Sequence, residues 1–127
     1  MFKRIDHVEM TTRDLEATLK FYQEIFGFKI KERMKIPRPP LEEIVFLTLG
    51  DTMIEILYAK EAAPAPSGWQ AGFRSMALEV EDMDKAVAFL KSKGHEMSVK
   101  PMNLGGKSWR GEVKDPNGFS IELRQWL

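Results

Sequence analysis

The chain has 127 residues, a length that suits one compact domain or two fused half-domains. Its 19 basic and 19 acidic side chains cancel and are interspersed, so nothing indicates nucleic acid or an anionic membrane as a partner. The absence of cysteine excludes disulfides and thiolate chemistry, and any metal must be bound through nitrogen and oxygen. No apolar run approaches the about 20 residues of a membrane helix, and the N-terminus lacks a signal-peptide core, so we expect a cytoplasmic location.

The first half of the chain predicts the order strand, helix, strand, strand, strand. Asp14 is expected to cap the helix and Gly27 to end it in a left-handed conformation. Three prolines predict a loop between the second and third strands, and Gly50 with Asp51 predicts a tight turn before the fourth. The alternation of apolar and polar residues places the strands at 5–10, 28–34, 44–49 and 52–57.

The same order returns after an alanine- and proline-rich segment, 59–71, that is typical of a linker. Asp82 is expected to cap the second helix and Gly94 to end it. A loop carrying Gly105 and Gly106 follows, and residues 115–118 predict a turn. The strands of this half are predicted at 75–80, 97–100, 108–114 and 119–124.

The two halves keep a nearly constant offset along their whole length. Asp14 and Asp82 lie 68 positions apart, whereas Gly27 and Gly94, like the strands 53–56 and 120–123, lie 67 apart. Since caps, helix ends and strands agree within one residue, we infer a duplication. It predicts an α+β fold of two tandem βαβββ modules in one domain, 1–127, with module 1 at 4–58, a linker at 59–71 and module 2 at 72–125.

The alternation of side chains along the strands singles out a few polar residues. In each module the helix covers one face of the sheet, and the opposite face is left for the other module or a partner chain. On the first strand His7 and Glu9 are expected on that open face, and on the fourth strand Glu55 is expected beside His7. In module 2, Glu122 takes the position of Glu55, and Ser75 takes that of His7.

Several motifs between Arg4 and Arg124 carry a resemblance to a known family. They are Ile5-Asp6-His7-Val8, Asp14-Leu15 leading to Phe21-Tyr22, Phe26-Gly27-Phe28, Ile54-Glu55, Asp115-Pro116-Asn117-Gly118 and Ile121-Glu122-Leu123. Together they resemble the vicinal oxygen chelate superfamily, which includes glyoxalase I, methylmalonyl-CoA epimerase, extradiol dioxygenases and the bleomycin-resistance proteins. The resemblance implies a mixed-sheet open barrel with the helices outside, and a homodimer.

By position, the resemblance also implies metal ligands at His7, Glu55 and Glu122. The fourth ligand position, usually a histidine in the family, is Ser75, whose neutral hydroxyl is a poor ligand. One imidazole and two carboxylates suit Zn, Ni, Co, Mn, Fe or Mg without choosing among them. Such an ion would stabilise an enediolate, and Glu122 or Glu55, unranked, would move the proton as the catalytic base.

The resemblance favours a glyoxalase-like isomerase or lyase, or an epimerase, acting on a small 2-oxo, thiohemiacetal or acyl-CoA-type substrate. The alternative is a bleomycin-resistance-like protein that binds a small molecule without catalytic metal, which Ser75 supports; a scaffold with a vestigial site is a third possibility. His95, expected at the surface after Gly94, leaves one histidine in the cleft, whereas iron dioxygenases need two.

Cationic and aromatic residues provide candidate contacts for the substrate. Arginine and lysine side chains could bind a carboxylate, a phosphate or a CoA tail, although surface arginines are common. Aromatic residues could line an apolar pocket, or equally form core or dimer contacts. The residues predicted to bind substrate are Ser75, Arg110, Arg124 and Trp109.

Overall fold

The computed structural model describes residues 1–66 and 68–127. They form two compact units, Met1–Pro64 and Ala65–Leu127, and the boundary lies within the predicted linker, of which residue 67 is outside the described residues. Neither helix in these ranges is long and apolar enough to cross a membrane. The elements are β1 (Val8–Thr12), α1 (Leu15–Glu24), β2 (Lys29–Arg38), β3 (Leu41–Leu49), β4 (Thr52–Tyr58), β5 (Met76–Glu79), α2 (Met83–Ser92), β6 (Val99–Asn103), β7 (Ser108–Lys114) and β8 (Ser120–Trp126).

Each unit contains one four-stranded mixed sheet with the same topology. The strand orders are β1-β4-β3-β2 in the first unit and β5-β8-β7-β6 in the second. In each, the strand before the helix pairs in parallel with the last strand, and the other neighbours are antiparallel. The prediction of an α+β fold with two tandem βαβββ modules is therefore confirmed, and the two units are called the first and second module below.

Both helices begin and end where the sequence predicts. The carboxylates of Asp14 and Asp82 each accept a hydrogen bond from the backbone N–H three residues later, at 3.1 and 3.0 Å, which satisfies a donor that the helix leaves free. Gly27 and Gly94 follow the helices with φ of 78° and 83°, a conformation that costs glycine little. These local signals fix the length of each helix.

The core of each module lies between its helix and one face of its sheet. In the first module the Tyr22 side chain on α1 is fully buried, and its hydroxyl donates to Met10 Sδ on β1 at 3.6 Å. Val45, Leu47 and Ile56 are also fully buried. The opposite face of the sheet, called the open face here, carries the alternate residues of the same strands.

The prediction of a long proline-bearing loop before the third strand is wrong. β2 continues to Arg38 and β3 begins at Leu41, so only Pro39 and Pro40, joined by a cis peptide bond, form the turn. Pro37 lies inside β2, which is possible because β2 is an edge strand and the missing N–H need not pair.

Other strand boundaries shift by a few residues. β1 begins at Val8 rather than residue 5, so His7 precedes the strand, and β5 begins at Met76, just after Ser75. β6 spans Val99–Asn103 instead of 97–100, and its pairing with β7 is irregular between Val99 and Met102. Like β2, β6 is an edge strand that contains a proline, so alternation alone describes it poorly.

Candidate functional site

Glu55 lies on the open face of the first module, near the middle of β4. Its neighbours Ile54 and Ile56 are 3% and 0% exposed and belong to the core, so alternation directs Glu55 to the other face. Its register partner on β1 is Glu9, and the two residues lie side by side on parallel strands. Glu55 is itself buried, with 7% of its surface exposed. Burial of a carboxyl group requires a polar partner.

His7 is that partner. Its Nε2 lies 3.0 Å from Glu55 Oε2 and 3.6 Å from Glu9 Oε1. Its Nδ1 lies 2.8 Å from Asp6 Oδ2, on the other side of the ring. The imidazole and the Phe46 ring also pack in a T-shaped arrangement, with ring centroids 5.7 Å apart. The ring is thus oriented from several sides, with Nε2 facing two carboxylates.

The neighbouring charges change the proton affinities of Glu55 and His7. Burial raises the pKa of the Glu55 carboxyl, the neighbouring Glu9 raises it further, and the opposing effect of His7 is smaller. The hydrogen bond with Asp6 raises the pKa of the His7 imidazole, with further increases from Glu55 and Glu9 that together outweigh partial burial. Positive charge on or near Nε2 is therefore stabilised.

The three side chains offer ligand atoms in an arrangement that suits a metal ion. One atom from each of His7, Glu9 and Glu55 lies within 4.8 Å of the others, and no other such group occurs in residues 1–66 and 68–127. The predicted ligands His7 and Glu55 therefore lie together. Glu9 was not predicted as a ligand, although alternation had placed it on the same face as His7.

Glu122 occupies the corresponding position on β8 of the second module, but its surroundings are cationic. Its flanking residues Ile121 and Leu123 are buried in the core, at 0% and 2% exposure. Glu122 Oε1 accepts hydrogen bonds from Arg124 Nε and Nη2 at 2.8 and 2.6 Å, and Oε2 accepts from Arg110 Nε at 3.1 Å. The predicted ligand or base Glu122 thus lies with the predicted substrate residues Arg110 and Arg124.

A further glutamate, Glu112 on β7, is buried and extends this arrangement. Its Oε1 accepts hydrogen bonds from Arg74 Nη2 at 2.6 Å and from Arg110 Nη2, and its Oε2 accepts from Ser120 Oγ at 2.6 Å. Burial alone would raise the pKa of Glu112, but the hydrogen bonds from Ser120, Arg74 and Arg110 lower it to about 2. Ser75 is adjacent, with its Oγ 3.3 Å from Arg74 Nη1.

Glu112 was missing from the predicted site, although the sequence contains a signal for it. It lies two residues after Arg110 and opposite Glu122 in the β7–β8 register, so all three share the open face of the second module. We call Arg74, Arg110, Arg124, Glu112 and Glu122 the arginine cluster. Three guanidinium groups and two carboxylates give it a net positive charge.

Trp109, predicted to bind substrate, lies on the other face of the second sheet. It pairs with Gln125, whereas its neighbour Arg110 pairs with Arg124, and side chains alternate along each strand. Gln125 Oε1 accepts a hydrogen bond from the backbone N–H of Met83 at 2.8 Å, at the start of α2. Trp109 is therefore on the helix side and is not brought together with the arginine cluster.

Comparisons with known proteins agree with this architecture. The chain is 31% identical over 128 residues to a lactoylglutathione lyase of Arabidopsis thaliana, covering 97% of this chain and 44% of that protein. It is 27% identical over 130 residues to the mitochondrial methylmalonyl-CoA epimerase of Homo sapiens, covering 96% and 73%. A glyoxalase family protein of Enterococcus faecalis has a crystal structure that matches with a TM-score of 0.85 at 29% identity, covering 97% and 98% of the two chains.

The match to the family extends over almost the whole chain. The chain spans less than half the length of the plant relative, 44%, so that protein contains further sequence without a counterpart here. The model of the Glyoxalase/Bleomycin resistance protein/Dioxygenase superfamily matches residues 4–123. Since this match agrees with the two βαβββ modules, the chain belongs to the glyoxalase, bleomycin-resistance and dioxygenase superfamily, as the resemblance in its motifs predicted.

Proposed function

We propose that this protein is a glyoxalase-like metal-dependent isomerase or lyase, or an epimerase. Its substrate would be a small 2-oxo, thiohemiacetal or acyl-CoA-type molecule that loses a proton from the carbon beside a carbonyl group. The observation that carries the proposal is the contact of 3.0 Å between His7 Nε2 and the buried Glu55 carboxylate. The names of its relatives, a lactoylglutathione lyase and a methylmalonyl-CoA epimerase, support the same class of reaction.

The donor set of this site fits a divalent cation. An imidazole nitrogen and carboxylate oxygens are ligands for Zn, Ni, Co, Mn, Fe or Mg, and their chemistry does not select one of these ions. His7 and Glu55, which lie together in the first module, would hold the ion. When bound, the ion would supply electrostatic stabilisation of the negative charge that develops on the enediolate.

Glu55 is the better candidate for the base of the two glutamates. Its pKa is raised by burial and by Glu9, which brings it closer to the pH at which proton transfer is most efficient. Both oxygens of Glu122 already accept hydrogen bonds from arginines, whereas Glu55 faces the His7 imidazole. Asp6 would hold the His7 ring in place during the transfer.

The test is proton exchange at the carbon beside the carbonyl, followed by NMR in deuterated water. The full chain, loaded with each of the six metals in turn, would be offered a panel of 2-oxo, thiohemiacetal and acyl-thioester compounds. We expect exchange with at least one compound, and a loss of about 100-fold or more in Glu55→Gln. Glu42→Gln, an exposed glutamate on β3, is the matched control and should retain the rate. Absence of exchange across the panel would contradict the proposal.

Glu122→Gln addresses the second candidate base in the same assay. Loss of the rate in Glu122→Gln with retention in Glu55→Gln would reverse the order that we propose for the two bases. Measuring metal content in both variants separates a loss of the ion from a loss of the proton acceptor.

A small-molecule binding protein without catalytic metal is the second candidate. It is favoured by Ser75, which replaces an imidazole with a hydroxyl and lies 3.3 Å from Arg74 Nη1. This candidate predicts ligand binding that survives chelation of metal, together with no proton exchange on any substrate. Calorimetry in the presence of a chelator distinguishes it from the enzyme.

We also propose that the protein is a cytoplasmic homodimer, as the family resemblance and the composition suggest. Light scattering during size-exclusion chromatography should give a mass twice that of one chain. A mass equal to one chain would contradict the dimer.

A further inference from the structure

We infer that Glu9 is a metal ligand, so that the first module alone supplies three ligands, His7, Glu9 and Glu55. This inference rests on the metal-dependent function proposed above and names a coordinating residue that the family pattern does not include. It follows from the geometry of β1 and β4 and from the charges around His7.

The geometry follows from the register of two parallel strands. Glu9 pairs with Glu55, and neighbouring strands lie about 4.8 Å apart, so the two carboxylates project from adjacent positions on the same face. His7 Nε2 lies 3.6 Å from Glu9 Oε1 and 3.0 Å from Glu55 Oε2. Ligands at right angles around an ion, each about 2.1 Å from it, lie about 3 Å apart, so small side-chain rotations suffice.

The carboxylates around His7 give the site an excess of negative charge, which favours binding of a cation. Asp6, Glu9 and Glu55 all lie against one imidazole, and it is their shared cationic partner. Arg4 lies 3.9 Å from Asp6, at the outer side of the ring. Glu9 and Glu55 both face His7 Nε2, so two carboxylates share one imidazole, and a divalent ion would offset the remaining negative charge.

The second module shows how the same fold compensates charge without an ion. Its buried Glu112 and half-buried Glu122 also share the open face of their sheet. Both accept hydrogen bonds from guanidinium groups, which are cationic throughout the pH range of proteins. The corresponding face of the first module has a histidine instead, and a neutral imidazole can coordinate a metal whereas a guanidinium cannot.

The orientation of His7 is the second, independent observation. Its Nδ1 lies 2.8 Å from the Asp6 carboxylate, which leaves Nε2 as the nitrogen that faces Glu9 and Glu55. Histidines that bind metals commonly donate their other N–H to a carboxylate in this way. Glu9 would thereby complete a set of three ligands within the first module.

The test is a titration of the full, metal-free chain with Mn²⁺, followed by the loss of the electron paramagnetic resonance signal of the free ion. Wild type should bind one Mn²⁺ per chain. Glu9→Gln should weaken binding by about tenfold or more, because even outer-shell partners of metal ligands contribute about tenfold to affinity. Glu42→Gln removes an equivalent exposed carboxylate from β3 and should bind like wild type.

Thermal unfolding provides a second readout that a merely structural role of Glu9 would not move. Without metal, Glu9→Gln should unfold at or slightly above the temperature of wild type, because it relieves repulsion with Glu55. With Mn²⁺, wild type and Glu42→Gln should be stabilised more than Glu9→Gln.

Equal Mn²⁺ affinity in wild type and Glu9→Gln would overturn the inference, as would an equal loss in Glu42→Gln or no binding to wild type. Weaker binding in Glu9→Gln without any proton exchange by wild type would support Glu9 as a ligand and contradict the proposed reaction. Proton exchange by wild type, together with unchanged Mn²⁺ affinity in Glu9→Gln, would support the proposed reaction and contradict Glu9 as a ligand.

Discussion

Glu55 and Glu112 are buried glutamates on strands, and their neighbours shift their pKa values in opposite directions. Burial and the adjacent Glu9 raise the pKa of Glu55. At Glu112, hydrogen bonds from Ser120 and two arginines outweigh burial and lower the pKa. The same residue type is therefore suited to accept a proton in one module and to remain ionised in the other.

The lowered pKa of Glu112 predicts a specific loss of stability in acid. Its folded pKa of about 2 lies below the ordinary value of 4.5, so its contribution is complete above pH 4.5 and is lost as the pH falls from 4.5 towards 2. We expect that contribution to be about 1 to 3 kcal/mol. Urea unfolding of wild type and Glu112→Gln over this range measures it, since the difference between the two should shrink as the pH falls. A difference independent of pH would contradict the prediction.

Arg110 should matter more to stability than Arg74, because it donates to both Glu112 and Glu122. Its side chain is 19% exposed, compared with 38% for Arg74. We expect Arg110→Met to lower the free energy of unfolding by about 2 to 3 kcal/mol, since it leaves two carboxylates with fewer partners. Arg74→Met is the matched control and should cost less. An equal or larger loss in Arg74→Met, measured by urea unfolding, would show that the cluster is not centred on Arg110.

At the level of elements, the helices were predicted more accurately than the edge strands. A helix is fixed by local signals, here the caps Asp14 and Asp82 and the glycines that follow. The edge strands β2 and β6 pair on one side only, and both contain a proline. Their extent depends on the neighbouring strand, so alternation and prolines gave the wrong boundaries.

The cap of α2 provides a test at this scale. Asp82→Ala removes the acceptor for the backbone N–H of Lys85, so we expect a loss of about 1 kcal/mol in the free energy of unfolding. Asp82→Asn keeps an oxygen at the same position and should remain close to wild type. Denaturation followed by circular dichroism compares the three proteins, and equal stability of all three would rule out a contribution from this cap.

For the whole molecule, the question is whether the two modules unfold together. Each has its own sheet, helix and core, and each sheet has one face that its own helix does not cover. Modules of about 60 residues bury a limited apolar area by themselves. The interpretation of residues 1–127 as one domain therefore stays a prediction about cooperativity.

The distribution of aromatic residues makes this prediction testable without labels. The three tryptophans, Trp69, Trp109 and Trp126, lie in the second module, and the two tyrosines, Tyr22 and Tyr58, lie in the first. We expect tryptophan fluorescence and the tyrosine bands of second-derivative absorbance to change at the same urea concentration. Two separate transitions would mean that the modules are independent domains.

The sequence by itself determined the duplication, both helices and the residues that share a face, because caps and alternation are properties of neighbouring residues. It thereby placed His7 with Glu55, and Glu122 at the corresponding position of the second module. The tertiary structure decided which charges meet: Glu9 joins His7 and Glu55 through the register of β1 with β4, and Arg110 bridges Glu112 and Glu122 across β7 and β8. Such contacts depend on strand pairing and on the conformations of long side chains, which no local pattern specifies.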